Sequence, residues 1–363
     1  DFISLGNHEF DFGADTVRGL VKAFKAPVLN CNIYDKKTGK RVDFVKPWAV
    51  KDVAGVKIGV FGLLTTRMAG LVLPKQVEGL EFRREIDEAK AAVAALKKEG
   101  ATVIIALSHV GFESPDKAPF EGDQSIAASV PGIDVIVGGH THTILRDAVR
   151  DATYGTLIVQ AGSNLAAAGR TLLEIDPKTG KVVKSEDRMV DLWVDEFGEA
   201  PKLKAIVDKY AREVGNALEV VVATAATAIP HNRNWTESPM GGWMTDCERD
   251  WAKTDIAFQN LGGIRSSFGA GPITLRHIFN VAPFENTMVN LTMTGAQVRD
   301  ILEAGAGGKG YLQSSGITVV FDKSKPQGER LVSASVGGKE FKDDGSYTVS
   351  TVDFLADGSG GFG

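Results

Sequence analysis

The sequence predicts an α/β fold in which a layered sandwich of strands and helices is followed by a second domain. Apolar runs of strand length, such as 57–63 and 103–107, alternate with helical patterns over the first half of the chain. The length of 363 residues exceeds what one compact core usually holds, which favours two domains. A hydrophobic fraction of 43% and a charged fraction of 24% are those of an ordinary soluble globular protein.

The first half reads as strands separated by helices and turns. Apolar residues recur at helical spacing between Ile86 and Leu96, and Gly100 follows in the position of a C-terminal cap. The other predicted elements are strands at 28–33, 57–63, 103–107, 133–137 and 156–161, and helices at 15–25 and 124–128. Residues 170–194 close this half as a hairpin around the turn 176–181.

The second half begins with an amphipathic helix, 201–218, which we interpret as a linker. Its apolar side carries Leu203, Ile206, Val207, Tyr210 and Val214. A second domain starts near Glu219, and a stripe at helical spacing predicts one of its core helices: Met240, Trp243, Met244, Cys247 and Trp251. The remaining predicted elements are strands at 255–260, 289–293, 316–322 and 347–352, a helix at 295–303 and a hairpin at 336–339.

Composition excludes several classes of function. A net charge of -5 and a pI near 5.8 provide no basic field for a nucleic-acid polymer or anionic lipid. Cys31 and Cys247 are far apart in sequence, so we expect two small buried hydrophobic residues rather than a disulfide. No segment approaches the roughly 18 apolar residues that span a bilayer. The sequence opens inside a strand and without Met, so we interpret it as a fragment that shows no signal peptide.

Four of the six histidines directly follow predicted strands, where open α/β sheets bind ligands. His8 lies in the segment 6–11, together with Asn7 and Asp11, and the other three are His109, His140 and His142. Asn7 offers an amide oxygen to a cation, while Asp11 can orient the His8 imidazole. For Asn7 and His8 alone, a helix N-cap and a satisfied histidine remain the alternative, and Asp11 also suits a helix N-terminus. The grouping of the histidines favours a metal site, and imidazole with amide oxygen suits Zn, Mn, Co or Fe better than Ca.

The second half has one comparable segment, where the predicted strand 255–260 runs into Leu261-Gly262-Gly263-Ile264-Arg265. The glycines allow the backbone to approach a ligand closely, and the arginine can grip a phosphate or carboxylate through two parallel hydrogen bonds. Taken alone, this pattern also fits a solvated surface arginine. Phe284 and Phe354 fit core packing equally well.

The chain resembles the two-metal calcineurin-like phosphoesterases, and among them the 5'-nucleotidases that carry a C-terminal nucleotide-binding domain. The matching segments, in the family's order, are Gly6-Asn7-His8-Glu9-Phe10-Asp11, Ser108-His109, Gly139-His140-Thr141-His142, Asn260 to Arg265, and Pro283-Phe284-Glu285-Asn286. The resemblance implies a layered α/β/β/α metallophosphoesterase sandwich followed by a smaller α+β nucleotide-binding domain. It divides the chain into a metallophosphoesterase domain at 1–195, a linker helix at 196–218 and a 5'-nucleotidase C-terminal domain at 219–363.

The resemblance also implies roles for individual residues. Asn7, His109, His140 and His142 are expected to hold two divalent metal ions, and His8 with Asp11 to stabilise developing charge or protonate the leaving oxygen. Asn260, Arg265, Phe284 and Phe354 are expected to contact the nucleotide, with both phenylalanines stacked on its base. Arg233 stands one residue from the position, here Asn234, where the family often has an arginine.

Three departures from the family pattern bear on substrate contacts and metal ligands. Leu261 replaces a glycine, and residues 357–362 depart from the usual Gly-Gly-Asp-Gly, so the ribose-contacting Asp is either absent or displaced to Asp357. The family also carries an Asp-x-His motif and another Asp upstream of the Gly-Asn-His-Glu segment, and the given sequence starts after that region.

The activity that the resemblance implies is metal-dependent removal of the 5'-phosphate from nucleotides such as AMP by a metal-activated water. The alternatives are cleavage of 2',3'-cyclic nucleotides or UDP-sugars by the same site, or a nucleotide-binding surface protein that has lost catalysis. The family resemblance implies a periplasmic or extracellular protein.

Overall fold

The structure of the protein is a computed structural model that describes residues 1–113, 121–231, 237–306 and 312–362. The chain forms two compact units, Asp1–Gly198 and Glu199–Gly363. The predicted alternation of strands and helices in the first unit is confirmed. The helix at 201–218, predicted as a linker, lies within the second unit.

The described helices are α1 (Ala14–Ala23), α2 (Glu85–Lys98), α3 (Asp123–Ser129), α4 (Val194–Phe197), α5 (Pro201–Leu218), α6 (Pro239–Ala252), α7 (Leu275–Val281), α8 (Gly295–Ala306) and α9 (Asp353–Ala356). The strands of the first unit are β1 (Ile3–Ser4), β2 (Val28–Leu29), β3 (Ile33–Asp35), β4 (Trp48–Val53), β5 (Val56–Leu64), β6 (Leu80–Phe82), β7 (Val103–His109), β8 (Val135–Val137), β9 (Val149–Arg150), β10 (Leu157–Val159), β11 (Ala167–Ile175) and β12 (Val182–Asp191). Those of the second unit are β13 (Val221–Ala225), β14 (Ile256–Asn260), β15 (Gly271–Thr274), β16 (Met288–Thr294), β17 (Leu312–Ser315), β18 (Ile317–Phe321), β19 (Leu331–Val336), β20 (Lys339–Glu340) and β21 (Ser346–Val352).

The main sheet of the first unit has the order β4-β5-β7-β8-β10-β9. Its central strands β5, β7, β8 and β10 are parallel, and β4 and β9 pair antiparallel at the edges. Parallel strands need both faces covered, which explains their continuous apolar runs. Helices α2 and α3 pack there through buried residues such as Leu96 and Ile126.

A second apolar cluster joins β1, β2 and α1, with Leu5, Phe10 and Val17 buried at its centre. The chain around β2 crosses β5 so closely that a Cβ on Gly62 would lie 1.9 Å from the carbonyl oxygen of Leu29. Only glycine permits this approach, which brings the cluster onto the main sheet.

In the second unit, the central sheet has the order β16-β21-β14-β17. Strand β14 is parallel to β21, whereas β16 pairs antiparallel with β21 and β17 with β14. Helix α8 packs on this sheet through Val298 and Leu302, which contact the cluster around Ile256 and Phe258. The predicted hairpin at 336–339 is confirmed, since β19 and β20 join through Gly337 and Gly338, both with positive φ.

Two expectations about burial were only partly confirmed. On α6, Met240 and Met244 join the apolar cluster around Phe268, whereas Trp243 and Trp251 are 36% and 73% exposed and Cys247 is exposed. The inward side of α6 also carries Gly241 and Thr245, small buried residues that let the helix approach the sheet. Cys31 is buried as expected. Among the described residues, no helix combines the length and apolar character needed to cross a membrane.

Candidate active site

Three of the predicted site residues leave the first unit's strands at their carboxyl ends. Asn7 lies three residues after β1, His109 is the last residue of β7, and His140 lies three residues after β8. Strands β7 and β8 are parallel neighbours, so their carboxyl ends meet at one edge of the sheet. The polypeptide therefore brings side chains from distant parts of the sequence to one place.

The side chains of these residues converge on one oxygen atom. The Nε2 atom of His109 lies 3.0 Å from Oδ1 of Asn7, and Nδ1 of His140 lies 3.2 Å from the same oxygen. The two imidazole rings are 5.2 Å apart, centre to centre. Asn7 is 3% exposed and makes no side-chain cap for the turn that follows it, so the alternative of a helix cap is wrong.

Both histidines are held neutral. Burial lowers the pKa of His109 to about 4, with smaller contributions from His8 and His142. Burial likewise lowers the pKa of His140 to about 3, and the charges of His109, Arg67, His8 and His142 contribute in the same direction. A neutral imidazole has a lone pair to offer, which is the protonation state that a metal ligand requires.

The loop that carries His140 and His142 has a strained backbone. Both residues have positive φ, +72° and +57°, a region that residues other than glycine rarely occupy. Gln160 holds this loop, because its Oε1 accepts hydrogen bonds from Thr143 N at 2.6 Å and from Thr141 Oγ1 at 3.3 Å. Strain of this kind is typical of functional sites whose geometry is fixed by the surrounding structure.

A buried carboxyl group, missed by the sequence analysis, supports the same edge of the sheet. Asp123 is fully buried and accepts a hydrogen bond from Ser108 Oγ at 2.5 Å. A Cβ on Gly138 would lie 2.2 Å from Asp123 Oδ2, so the carboxyl group also packs against the turn before His140. Burial raises the pKa of Asp123 to about 7. No local pattern distinguishes Asp123 from an ordinary carboxylate at a helix N-terminus, and only the tertiary contacts set it apart.

His8 and Asp11 form the predicted pair. The Nδ1 atom of His8 lies 2.8 Å from Oδ2 of Asp11, across one turn of 3-10 helix, His8–Phe10. Glu9 closes the same turn, since its Oε2 accepts a hydrogen bond from Gly6 N at 2.6 Å. The carboxylate thereby holds the exposed imidazole in one orientation through its Nδ1 atom.

The fourth predicted ligand, His142, is near enough for its charge to lower the pKa values of both His109 and His140. Across the ranges that the structure describes, no three His, Cys, Asp or Glu side chains form a complete metal-binding group. The donors that converge are instead one amide oxygen and two imidazoles. This mixed set of nitrogen and oxygen donors fits a divalent metal ion.

The nucleotide-contact candidates lie at one edge of the second unit's central sheet. Asn260 ends β14, and Phe354 follows the parallel strand β21. Phe284 precedes β16, whose first residue pairs with the last residue of β21. All three positions therefore belong to the same edge, the carboxyl ends of β14 and β21.

Arg265 completes this group. Its guanidinium carbon lies 5.6 Å from the centre of the Phe284 ring, and its Nη1 donates to the carbonyl of Gly262 at 3.2 Å. The Oδ1 atom of Asn260 is buried and accepts no hydrogen bond within the described part of the chain. Phe284 and Phe354 are both half-buried. Arg233 lies outside the described residues.

Comparisons with known proteins agree with this architecture. The sequence model of the calcineurin-like phosphoesterases matches residues 1–143, and that of the 5'-nucleotidase C-terminal domain matches residues 219–363. The 5'-nucleotidase of Vibrio cholerae is 29% identical over 406 residues, covering all of this chain and 72% of that protein. Endonuclease YhcR of Bacillus subtilis is 30% identical over 381 residues, and the chain spans only 30% of its length.

Among solved structures, the 5'-nucleotidase precursor of Thermus thermophilus superimposes with a TM-score of 0.90 at 28% identity. The alignment covers 99% of this chain and 75% of that one. The chain therefore belongs to the 5'-nucleotidase family, with a calcineurin-like phosphoesterase domain followed by a 5'-nucleotidase C-terminal domain.

Proposed function

We propose that the protein is a phosphohydrolase that removes the 5'-phosphate from nucleotides such as AMP by attack of a metal-activated water. The observation that carries this proposal is the convergence of His109 and His140 on Asn7 Oδ1, in the same unit as the hydrogen-bonded pair His8 and Asp11. The similarity to the 5'-nucleotidases of Vibrio cholerae and Thermus thermophilus supports the choice of substrate class.

Calcineurin-like phosphoesterases use divalent metal ions. We assign Asn7, His109, His140 and His142 as ligands of two such ions, of the Zn, Mn or Co type. Metal bound there would polarise the phosphate ester and lower the pKa of a bound water. The neutral state of the buried imidazoles supports this assignment, because no proton has to be removed before they bind.

His8 is assigned to the phosphate ester itself. Asp11 holds Nδ1 and thereby fixes the ring, so Nε2 can stabilise charge on a phosphate oxygen or give a proton to the leaving oxygen.

The second unit is assigned to the nucleoside. Arg265 and Asn260 would form hydrogen bonds to it and Phe284 and Phe354 would stack on the base, with Arg233 as a further candidate contact. Stacking contributes about 1 to 3 kcal/mol per base.

This assignment places a metallophosphoesterase domain at 1–195, a linker helix at 196–218 and a nucleotide-binding domain at 219–363. Support comes from the family matches at 1–143 and 219–363. A periplasmic or extracellular location is part of the same proposal, and fractionation of the producing cells tests it.

The test separates metal binding from chemistry. We expect His109→Ala to lose metal, because it removes a buried ligand, and His8→Ala to keep metal but lose about 100-fold or more in turnover of AMP. Elemental analysis and phosphate release from AMP measure the two properties on the same preparations. Equal loss of metal from both variants would contradict the division of roles. A wild-type protein that holds metal but hydrolyses no nucleotide would instead be a binding protein.

A further inference from the structure

One cationic side chain beside the candidate metal ligands has no place in the function described so far. Arg67 lies three residues beyond the end of β5, whose last residue, Leu64, pairs with His109. The next residue, Thr65, donates its backbone N–H to the carbonyl of His109 at 3.2 Å. Arg67 therefore leaves the sheet at the edge that carries the site.

Local hydrogen bonds fix the segment that presents Arg67. Thr65 caps the short 3-10 helix Thr66–Gly70, and its Oγ1 accepts from Arg67 N at 3.3 Å. Thr66 donates from both N and Oγ1 to Glu85 Oε1, at 2.6 and 2.9 Å. The next residue, Met68, is fully buried in the cluster around Phe10. Anchors on both sides hold the Arg67 backbone in place.

Arg67 is half-buried and lies two residues beyond Thr65, whose N–H is bonded to the carbonyl of His109. Burial lowers its pKa below the ordinary value of an arginine, although not enough to discharge it. A fixed cation at the edge of the sheet that carries the site creates a local positive potential in a chain whose net charge is -5. Such a potential attracts small anions.

We propose that Arg67 binds a non-bridging oxygen of the substrate's phosphate group at the site formed by Asn7, His109 and His140. The proposal rests on the proposed function, because it names the anion that this site would receive. Arginine suits the role because its planar fork can donate two parallel hydrogen bonds to a phosphate. The segment that follows β5 contains no motif, so the sequence alone does not reveal this residue.

This role predicts a kinetic pattern different from that of Arg265. The phosphate group is common to AMP, to an aryl phosphate and to free inorganic phosphate, whereas only AMP carries a nucleoside. Loss of the Arg67 side chain should therefore weaken the binding of all three compounds equally. A merely structural role would alter metal content or stability instead.

The experiment compares Arg67→Gln, Arg67→Lys and the control Arg18→Gln in the metal-loaded protein. Arg18 lies on α1 and forms an ion pair with Asp43 at 2.6 Å. Isothermal titration with inorganic phosphate, kinetics with AMP and p-nitrophenyl phosphate, and metal content are measured for each. We expect Arg67→Gln to weaken phosphate binding and raise both KM values by about 10- to 100-fold, the loss of a charged hydrogen bond. Arg67→Lys should be intermediate, with metal content unchanged throughout.

The outcomes distinguish this inference from the proposed function. Unchanged phosphate affinity in Arg67→Gln, with normal hydrolysis of AMP by the wild type, overturns the role of Arg67 and leaves the function standing. Arg67-dependent phosphate binding by a wild type that hydrolyses no nucleotide supports the anion site and overturns the function. Loss of metal in Arg67→Gln would show a structural role and also overturn the inference.

Discussion

Asp123 shows how strongly a single side chain depends on its surroundings here. Its carboxyl group is enclosed between Ser108 and Gly138, each next to or near a residue of the candidate site. An ionised carboxylate in such a place lacks the hydration that stabilises its charge, so the protonated form is favoured. Burial thus moves the pKa of this group to about 7 from its ordinary 3.8.

The first prediction concerns the pH dependence of stability. Because the folded state holds the Asp123 proton up to about pH 7 and the unfolded chain releases it near 3.8, the free energy of unfolding should fall as pH rises between these values. Asp123→Asn cannot ionise, so its stability relative to wild type should improve from pH 5 to pH 8, by on the order of a few kcal/mol. Urea unfolding at both pH values measures this. The exposed Asp195→Asn is the control, and an identical pH dependence of Asp123→Asn and wild type would refute the explanation.

At the scale of elements, the close approach of Gly241 on α6 to Gln313 on β17 decides how this helix packs. A Cβ on Gly241 would lie 2.1 Å from Gln313 Oε1, an atom already held by the backbone N–H of Ser238 at 2.8 Å. Gln313 is 2% exposed and has no room to move away. The adjacent Gly242 has no atom within 4 Å of its Cβ position. Two neighbouring glycines of one helix thus have opposite environments.

We therefore expect opposite effects of alanine at these two positions. Gly241→Ala should destabilise the second unit by about 1 to 3 kcal/mol, the usual cost of overpacking. Gly242→Ala should stabilise it by about 0.5 to 1 kcal/mol, because alanine is the better helix former. Thermal unfolding of the two variants beside wild type gives the comparison. A destabilised Gly242→Ala would mean that the packing of α6 is misassigned.

The same helix explains part of what the sequence could not predict. The stripe of Met240, Trp243 and Trp251 has helical spacing, but periodicity does not reveal which face meets the sheet. The inward face is chosen by Gly241 and Thr245, which are small enough for close packing. Sequence reasoning favours large apolar residues, so it grouped the exposed Trp243 and Trp251 with the buried Met240.

At the scale of the whole molecule, the sequence predicted the two-part α/β organisation and the convergence of Asn7, His109 and His140. It did so because each of these residues lies at or just after the end of a strand. The carboxyl ends of neighbouring parallel strands lie at the same edge of a sheet. Asp123, Gln160 and Arg67 escaped prediction for the opposite reason. Their surroundings are made by contacts between segments distant in sequence, and no local pattern records such contacts.

The proposal assigns the phosphate ester to the first unit and the nucleoside to the second, and this leads to a further prediction. Arg265→Ala should raise the KM for AMP by about 10- to 100-fold and leave that for p-nitrophenyl phosphate nearly unchanged, since only AMP has a nucleoside to contact. Steady-state kinetics with both substrates provide the measurement. Arg299→Ala, which removes an ion pair with Asp343 in the same unit, is the matched control. Equal effects on both substrates would argue against a contact between Arg265 and the nucleotide.

The hydrogen bonds to Asn7 have a consequence for the order of events during synthesis. Asn7 accepts from His109 and His140, which follow it by 102 and 133 residues. As the chain leaves the ribosome, Asn7 emerges before both histidines and meets them only after β7, β8 and the strained loop have appeared and paired. Loop closure over such distances is slow and is completed by sheet formation. The site should therefore be assembled late, so that metal is captured by a nearly folded first unit rather than by the nascent chain.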